Sequence, residues 1–214
     1  MKTVIISGGR IEKDFALTFI KKYQAEYTVA ADHGLLFCLE HHLKVDMVVG
    51  DFDSAPDGVL EQYTKEYDVP VRTFDPVKDY TDTEIAIQQI IKAGATEAVL
   101  LGCTGSRLDH VMGNLQCLHI LLDAGVHAQI LDPHNRISLH DKAFTVKKGE
   151  RFGPYISFLP ACEEMHLTLK GFKYPLTDHL VTNKDSLCIS NEITADRAEI
   201  IFCEGRLFMV QSRD

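Results

Sequence analysis

Apolar residues follow two rhythms along this chain. Up to about residue 134, short apolar runs alternate with stretches in which apolar positions recur every three or four residues. Thr3–Ser7, Tyr27–Ala31, Met47–Val49, Val71–Phe74, Ala98–Leu101 and Ala128–Leu131 read as strands buried on both sides. Between them the spacing predicts helices over Ile11–Lys22, Leu35–His42, Ser54–Glu66, Thr81–Ala93 and Ser106 to Gly125. Ser54 with Asp57, Thr81 with Glu84 and Ser106 with Asp109 have the three-residue offset of a capping pair, and Gly94 and Gly125 supply stops. In the longest helix Leu108, Val111, Met112, Leu115, Leu118 and Leu122 fall on one stripe, predicted to face the core. Strand–helix alternation of this kind predicts an α/β fold, a mostly parallel sheet with helices on both faces.

The rhythm changes near residue 135. Helical spacing stops, and strand-like runs follow at Arg136–His140, Ala143–Val146, Tyr155–Leu159, His166–Leu169, Leu187–Ser190, Ala198–Phe202 and Leu207–Val210. Gly149, Gly153-Pro154, Pro160, Gly171, Pro175 and Gly205 punctuate them. The expected organisation is an α/β domain over residues 1–134 and an all-β sandwich over residues 135–214.

Charge narrows the partners. The 214 residues carry 31 acidic and 22 basic side chains, a net charge of −9, so no basic face for nucleic acid is expected. An acidic protein handling an anionic substrate must concentrate its few cations locally or use metal ions. The six cysteines include no C-x-x-C pair and several lie in apolar runs, so they read as buried free thiols of a reducing compartment. The apolar run in MKTVIISGGR is too short for a signal peptide, and no run reaches the roughly 18 residues of a membrane span. A cytoplasmic protein is expected.

The stretch Asp46–Ser54, DMVVGDFDS, carries the first candidate chemistry. Asp51 and Asp53, two apart at a strand end, point the same way, and paired carboxylates repel unless a cation or proton sits between them. Mg²⁺ takes such oxygen ligands together with substrate phosphates. The same D-x-D also fits a haloacid-dehalogenase-type phosphatase with Asp51 as nucleophile, or a solvated turn. Asp32, Asp51, Asp53, Asp75, Asp79, Asp82 and Asp109 all fall at or after predicted strand ends, which a parallel sheet aligns along one edge. Asp75, followed by Pro76, equally fits a turn former.

The second constellation is Gly102-Cys103-Thr104-Gly105-Ser106-Arg107-Leu108-Asp109-His110. Glycines allow close backbone approach, the helix start presents N–H groups, and Arg107 offers a fork of donors for phosphate oxygens. The Gly-Lys-Ser/Thr ending of a P-loop is absent. His110 and Asn114, four apart, share a helix face; they fit nucleotide contacts or ordinary structural roles.

These residues resemble a known family. VVGDFDS, KDYTDTE, GCTGSRLDHVMGNL, GFKYPL and SNE, in that order between Asp32 and Glu192, are similar to the bacterial type of thiamine pyrophosphokinase. The resemblance implies an N-terminal α/β catalytic domain that binds ATP and a C-terminal β-sandwich that helps bind thiamine. It also implies a homodimer with active sites between subunits, and a Mg²⁺-dependent reaction from ATP and thiamine to AMP and thiamine diphosphate. On that resemblance Asp51, Asp53 and Asp82 are the metal and phosphate set, with Asp79 and Asp109 similar in placement. Arg107 is the polyphosphate ligand, while Asp32, Gly102, Thr104 and Gly105 belong to the nucleotide site, with His110 and Asn114 beside them. Tyr174, where animal relatives have Trp, and Ser190 and Asn191 are expected at the thiamine pocket. Lys78 stands where the family often has Gln, and Ser106 where Gly is frequent. A nucleotide or thiamine sensor without catalysis would carry much of the same pattern.

Overall fold

A computed structural model describes residues 1–52, 58–73 and 80–214 and divides the chain into two compact units, Met1–Pro133 and His134–Asp214. The first unit contains strands β1 (Lys2–Ile6), β2 (Tyr27–Ala31), β3 (Met47–Gly50), β4 (Val71–Thr73), β5 (Glu97–Leu101) and β6 (His127–Leu131). Its helices are α1 (Lys13–Tyr23), α2 (Gly34–Glu40), α3 (Val59–Glu66), α4 (Asp82–Lys92) and α5 (Leu108–Asp123). The strands lie in the order β4-β3-β2-β1-β5-β6, and every pairing among them is parallel.

Strand order and handedness fix where the helices go. From β1 the chain steps outward through β2, β3 and β4, so right-handed crossovers put α1, α2 and α3 on one face. It then returns to β5 and steps the other way to β6, which puts α4 and α5 on the opposite face. The packing agrees: α2 lies against α3, α4 lies against α5, and α4 covers β1, β2 and β3. Val4, Ile5, Ile6, Val29, Val48, Val49, Val99 and Leu100 are buried between these layers, which is why their strands read as unbroken apolar runs. Beside them, Tyr63 of α3 is fully buried; its hydroxyl donates to the Leu43 carbonyl at 2.7 Å and accepts from the Val45 N–H at 2.9 Å.

The second unit holds β7 (Asn135–His140), β8 (Phe144–Lys147), β9 (Tyr155–Pro160), β10 (Glu164–Lys170), β11 (Leu176–Thr182), β12 (Arg197–Ile201) and β13 (Leu207–Ser212). They form two antiparallel groups, β7-β13-β9 and β11-β10-β12-β8. Ile156, Phe158, Leu207 and Met209 from the first group share a core with Leu167, Leu169, Ala198 and Ile200 from the second. Two sheets closed over one apolar layer make a sandwich.

Several expectations need correction. Leu187–Ser190 is turn and bend, not strand, although Cys188 still contributes to the core. The strand in that region is β11, which the pattern missed because Thr177–Leu180 are exposed and show no alternation. Ser106 does not cap α5: Arg107 is the residue before the helix, and no side-chain capping bond forms there. The stripe on α5 is also displaced. Leu108 and Met112 are 72% and 65% exposed, and the buried face runs through Asn114, Cys117, Leu118 and Leu121. All six cysteines are free as expected, but Cys203 is exposed and Cys162 half-buried. The capping pair at Ser54 and Asp57 lies outside the described residues.

Candidate active site

The site begins where chain direction reverses. Loops leave β1 toward one side of the sheet and β5 toward the other, and these strands are neighbours. Such a switch point opens a crevice at the carboxyl ends of the strands, the place where ligands bind in open α/β sheets. Parallel register brings the ends level: Ile6 lies opposite both Ala30 and Leu101, Ala31 opposite Val49, and Gly50 opposite Thr73. The residues that follow therefore share one edge, and they include Ser7, Asp32, Asp51 and Gly102.

Two loops run on side by side past the sheet. The N–H of Ser7 donates to the Leu101 carbonyl at 2.9 Å, that of Gly9 to Gly102 at 2.8 Å, and that of Arg10 to Thr104 at 2.9 Å. The glycines make this approach possible. A Cβ on Gly9 would sit 2.4 Å from the Gly102 carbonyl oxygen, and one on Gly102 would sit 2.3 Å from that of Ser7. Gly102 also has φ +69°, a conformation side-chain-bearing residues resist. Chain-to-chain contact thus already explains these glycines. Gly105 is more open: the nearest atoms to a Cβ there belong to Arg10, the backbone N at 3.4 Å and the Cβ at 3.8 Å. Sequence reading treated Gly8-Gly9 only as a strand stop and passed over Arg10; the signal that finds them is strand order, which places their loop beside Gly102–Arg107.

A third element joins the same edge. Thr81 caps α4 by accepting from the Glu84 N–H at 3.2 Å, as its capping pair predicted. Asp82 is the first residue of that helix and half-buried. One residue on, the Thr83 hydroxyl shares a 3.0 Å hydrogen bond with the hydroxyl of Ser7, which is 2% exposed. Asp51 follows β3 directly. Beside it, Asp32 has φ +47°, a left-handed conformation that Asp tolerates better than most residues, and its N–H donates to Val49 at 2.8 Å. Asp53 and Asp79, together with Asp75 and Lys78, lie outside the described residues.

Arg107 and Asp109 form a pair in this structure. Arg107 Nη2 donates to Asp109 Oδ2 at 2.6 Å, with Nε to Oδ1 at 3.3 Å, and both side chains are exposed. The bond to the Arg107 guanidinium holds the Asp109 carboxyl down at about 2. A carboxyl depressed on folding contributes stability above its ordinary pKa and loses it as pH falls through the folded value. The carboxylate is therefore ionised at neutral pH, and an anion arriving at Arg107 meets Asp109 as a solvent-exposed competitor. In an NMR titration the Asp109 carboxyl carbon is expected to turn near pH 2, and to move up toward the ordinary Asp value in Arg107→Ala, stopping short of it because the His110 backbone bond remains. An unchanged midpoint in that variant would contradict the pairing.

His110 is exposed at the start of α5, whereas Asn114 is buried. The Asn114 amide donates to the Cys103 carbonyl at 2.9 Å, clamping the glycine-rich loop from within. Among the described residues no three His, Cys, Asp or Glu side chains gather closely enough to hold a metal. Asp51 and Asp82 nevertheless supply hard carboxylate oxygens on one edge, the ligand type Mg²⁺ prefers.

In the second unit Tyr174 is 59% exposed and held by Asn191. Asn191 Oδ1 accepts from the Tyr174 N–H at 3.1 Å, and its Nδ2 donates to the Tyr174 carbonyl at 2.8 Å. With both amide atoms occupied and 3% exposure, Asn191 acts here as a brace for Tyr174. Ser190, at φ +59°, donates its N–H to Ser157 Oγ at 3.0 Å, and its side chain is exposed. Tyr174, Leu187, Ile189 and Asn191 border a hollow of about 40 Å³.

Comparison with known proteins gives consistent matches over both units. A family profile described as thiamin pyrophosphokinase, catalytic domain, matches residues 21–130. A second, thiamin pyrophosphokinase, vitamin B1 binding domain, matches residues 143–207. A thiamine pyrophosphokinase of Bacillus subtilis (strain 168) is 32% identical over 219 residues, covering all of both chains. A crystal structure of thiamine pyrophosphokinase from Bacillus subtilis superposes with TM-score 0.88 at 30% identity over both full chains. One from Geobacillus thermodenitrificans gives 0.86 at 32% identity, covering 100% of this chain and 98% of the other.

Proposed function

Since the chain belongs to the thiamine pyrophosphokinase family, we propose that its first unit holds ATP at the β1–β5 switch point and that its second unit contributes to the thiamine site. The activity is that of a diphosphotransferase that forms thiamine diphosphate. The observation carrying the residue assignment is the meeting of three elements at one edge: the paired Gly8–Arg10 and Gly102–Arg107 loops, the start of α4, and the end of β3.

Asp51, Asp53 and Asp82 would hold Mg²⁺, which when bound neutralises phosphate charge and orients the triphosphate. The glycine-rich loop with Asp32, Gly102, Thr104 and Gly105 cradles the nucleotide. Arg10 and Arg107 take phosphate oxygens, Arg107 exchanging Asp109 for the substrate. His110 lies at the mouth of this cradle, and Asn114 keeps its shape from behind. The thiamine hydroxyl oxygen attacks the β-phosphorus, the bond from that phosphorus to the α-phosphate bridging oxygen breaks, and AMP leaves with that oxygen. The hydroxyl proton passes to a nearby carboxylate, with Asp79 and Asp51 the candidates. Positioning and charge neutralisation do most of the work in such transfers.

Tyr174 forms a wall of the thiamine pocket, with Ser190 exposed beside it and Asn191 fixing the loop. The family resemblance further implies a homodimer, in which a second copy of the chain completes the pocket and the active sites lie between subunits. No helix among the described residues is long and apolar enough to cross a membrane. With all six thiols free, we place the enzyme in the cytoplasm.

The test is product analysis. ATP, thiamine and Mg²⁺ are expected to give AMP and thiamine diphosphate in equal amounts, with no AMP when thiamine or the metal is withheld. Release of ADP or inorganic phosphate instead, or a phospho-aspartate trapped on Asp51, would overturn the assignment.

A further inference from the structure

We propose that the Ser7–Thr83 hydroxyl pair is a positioning device that fixes Asp82 relative to the Gly102–Gly105 loop; the inference rests on the assignment of Asp82 to the metal and phosphate set. Ser7 is the first residue after β1 and almost fully buried, and Thr83 lies one residue beyond Asp82 in the first turn of α4. Their oxygens are 3.0 Å apart. Ser7 is also tied to the start of the glycine-rich loop, since its N–H donates to the Leu101 carbonyl at 2.9 Å. Ser7 therefore joins the end of β5, from which the phosphate loop springs, to the acidic start of α4, through its backbone on one side and its hydroxyl on the other.

Ser7 follows the buried apolar residues Ile5 and Ile6, while Thr83 is half-buried between Asp82 and Glu84. Replacing both members of such a partly buried hydrogen-bonded pair by apolar groups of the same shape is close to neutral for stability, so packing alone does not require hydroxyls here. What the hydroxyl bond adds is direction. First-turn N–H groups of a helix lack backbone partners; the Thr81 cap satisfies one of them within α4, whereas the Ser7–Thr83 bond ties this turn to β1. A carboxylate carried one position before the tie inherits that orientation. Misplacement of a reacting group by about 1 Å costs about 10²-fold in rate, so a fraction of that shift is readable.

The experiment measures Mn²⁺ affinity, by electron paramagnetic resonance in the presence of α,β-methylene-ATP, alongside steady-state kinetics. Thr83→Val, nearly isosteric, is expected to weaken Mn²⁺ binding and lower kcat by about tenfold each, with the KM for thiamine unchanged. Ser7→Ala is expected to do the same, and Thr83→Ser, which keeps the hydroxyl, to restore wild-type values. Wild-type Mn²⁺ affinity in both Thr83→Val and Ser7→Ala would overturn the inference. So would Thr83→Ser behaving like Thr83→Val, since the methyl group would then be the part that counts. Asp82→Asn separates the two levels: full Mn²⁺ affinity in that variant removes the metal assignment itself, whereas weakened affinity there with normal Thr83→Val removes only the positioning role.

Discussion

Asp51→Asn is expected to lower kcat by about 10²–10³-fold while leaving the fold intact, the loss typical when one electrostatic contact to the transition state is removed. Asp51 follows β3 at the carboxyl edge and is half-buried, so the amide fits the same space. What changes is charge. An amide oxygen is a weaker ligand for a hard divalent cation and does not replace the carboxylate beside a triphosphate. The defect should appear at saturating ATP and thiamine and persist at high Mg²⁺. Its thermal unfolding should stay close to wild type, as for most substitutions outside a core. Turnover within threefold of wild type would remove Asp51 from the site. Arg107→Ala is expected to show a comparable loss, since a transition-state arginine in phosphoryl transfer contributes about 10³-fold or more.

Gly102→Ala has the largest expected effect on the fold of the first unit. The new methyl group would begin 2.3 Å from the Ser7 carbonyl oxygen, a backbone contact that does not yield as a flexible side chain does, and 3.0 Å from Ile11 Cγ1. Overpacking costs about 1–3 kcal/mol. The left-handed conformation at φ +69° adds about 1–2 kcal/mol for a residue with a side chain. Together they should lower Tm by about 10 °C. Gly125→Ala is the internal comparison: φ is +73° there too, but nothing lies within 4 Å of a Cβ, so only the conformational term applies and the expected shift is about a third as large. Equal shifts in the two variants, measured by thermal denaturation, would contradict the close approach of the β1 and β5 loops. Activity of Gly102→Ala at low temperature should also fall, because the loop can relieve the clash only by moving away from Ser7.

Much of the architecture was legible because parallel strands buried on both faces leave an unmistakable trace. Runs such as Val48-Val49 and Val99-Leu100 have no polar alternation, and helical spacing follows each. Local chemistry was legible where no third residue intervened: Thr81 and Glu84 do cap α4. It failed where one did. Ser106 and Asp109 have the same offset, but Arg107 takes the Asp109 carboxylate, and the helix starts later. The apolar stripe of α5 misled because two of its members, Leu108 and Met112, stay exposed at the start of the helix. Asn114, which the sequence left between nucleotide contact and a structural role, is buried and clamps the Cys103 carbonyl. In the second unit β11 was invisible because most of its residues are exposed, while Leu187–Ser190 looked like a strand for its apolar content alone.

The site itself was half legible. Acidic residues after successive strands could be collected from sequence, because a parallel sheet must align its strand ends. The partnership of Ser7, Gly9 and Arg10 with Gly102–Thr104 could not, since residues almost a hundred positions apart meet only through strand order. Nor could the Ser7–Thr83 bond, which depends on α4 crossing back over β1.

The most direct test of the whole account is a crystal structure of the protein with Mn²⁺ and α,β-methylene-ATP, with the cation located by its anomalous signal. The account predicts Mn²⁺ bound to Asp51 and Asp82, and the phosphates lying over Gly102–Gly105 within reach of Arg107, its bond to Asp109 opened. A nucleotide bound elsewhere, or a cation that touches neither carboxylate, would contradict it.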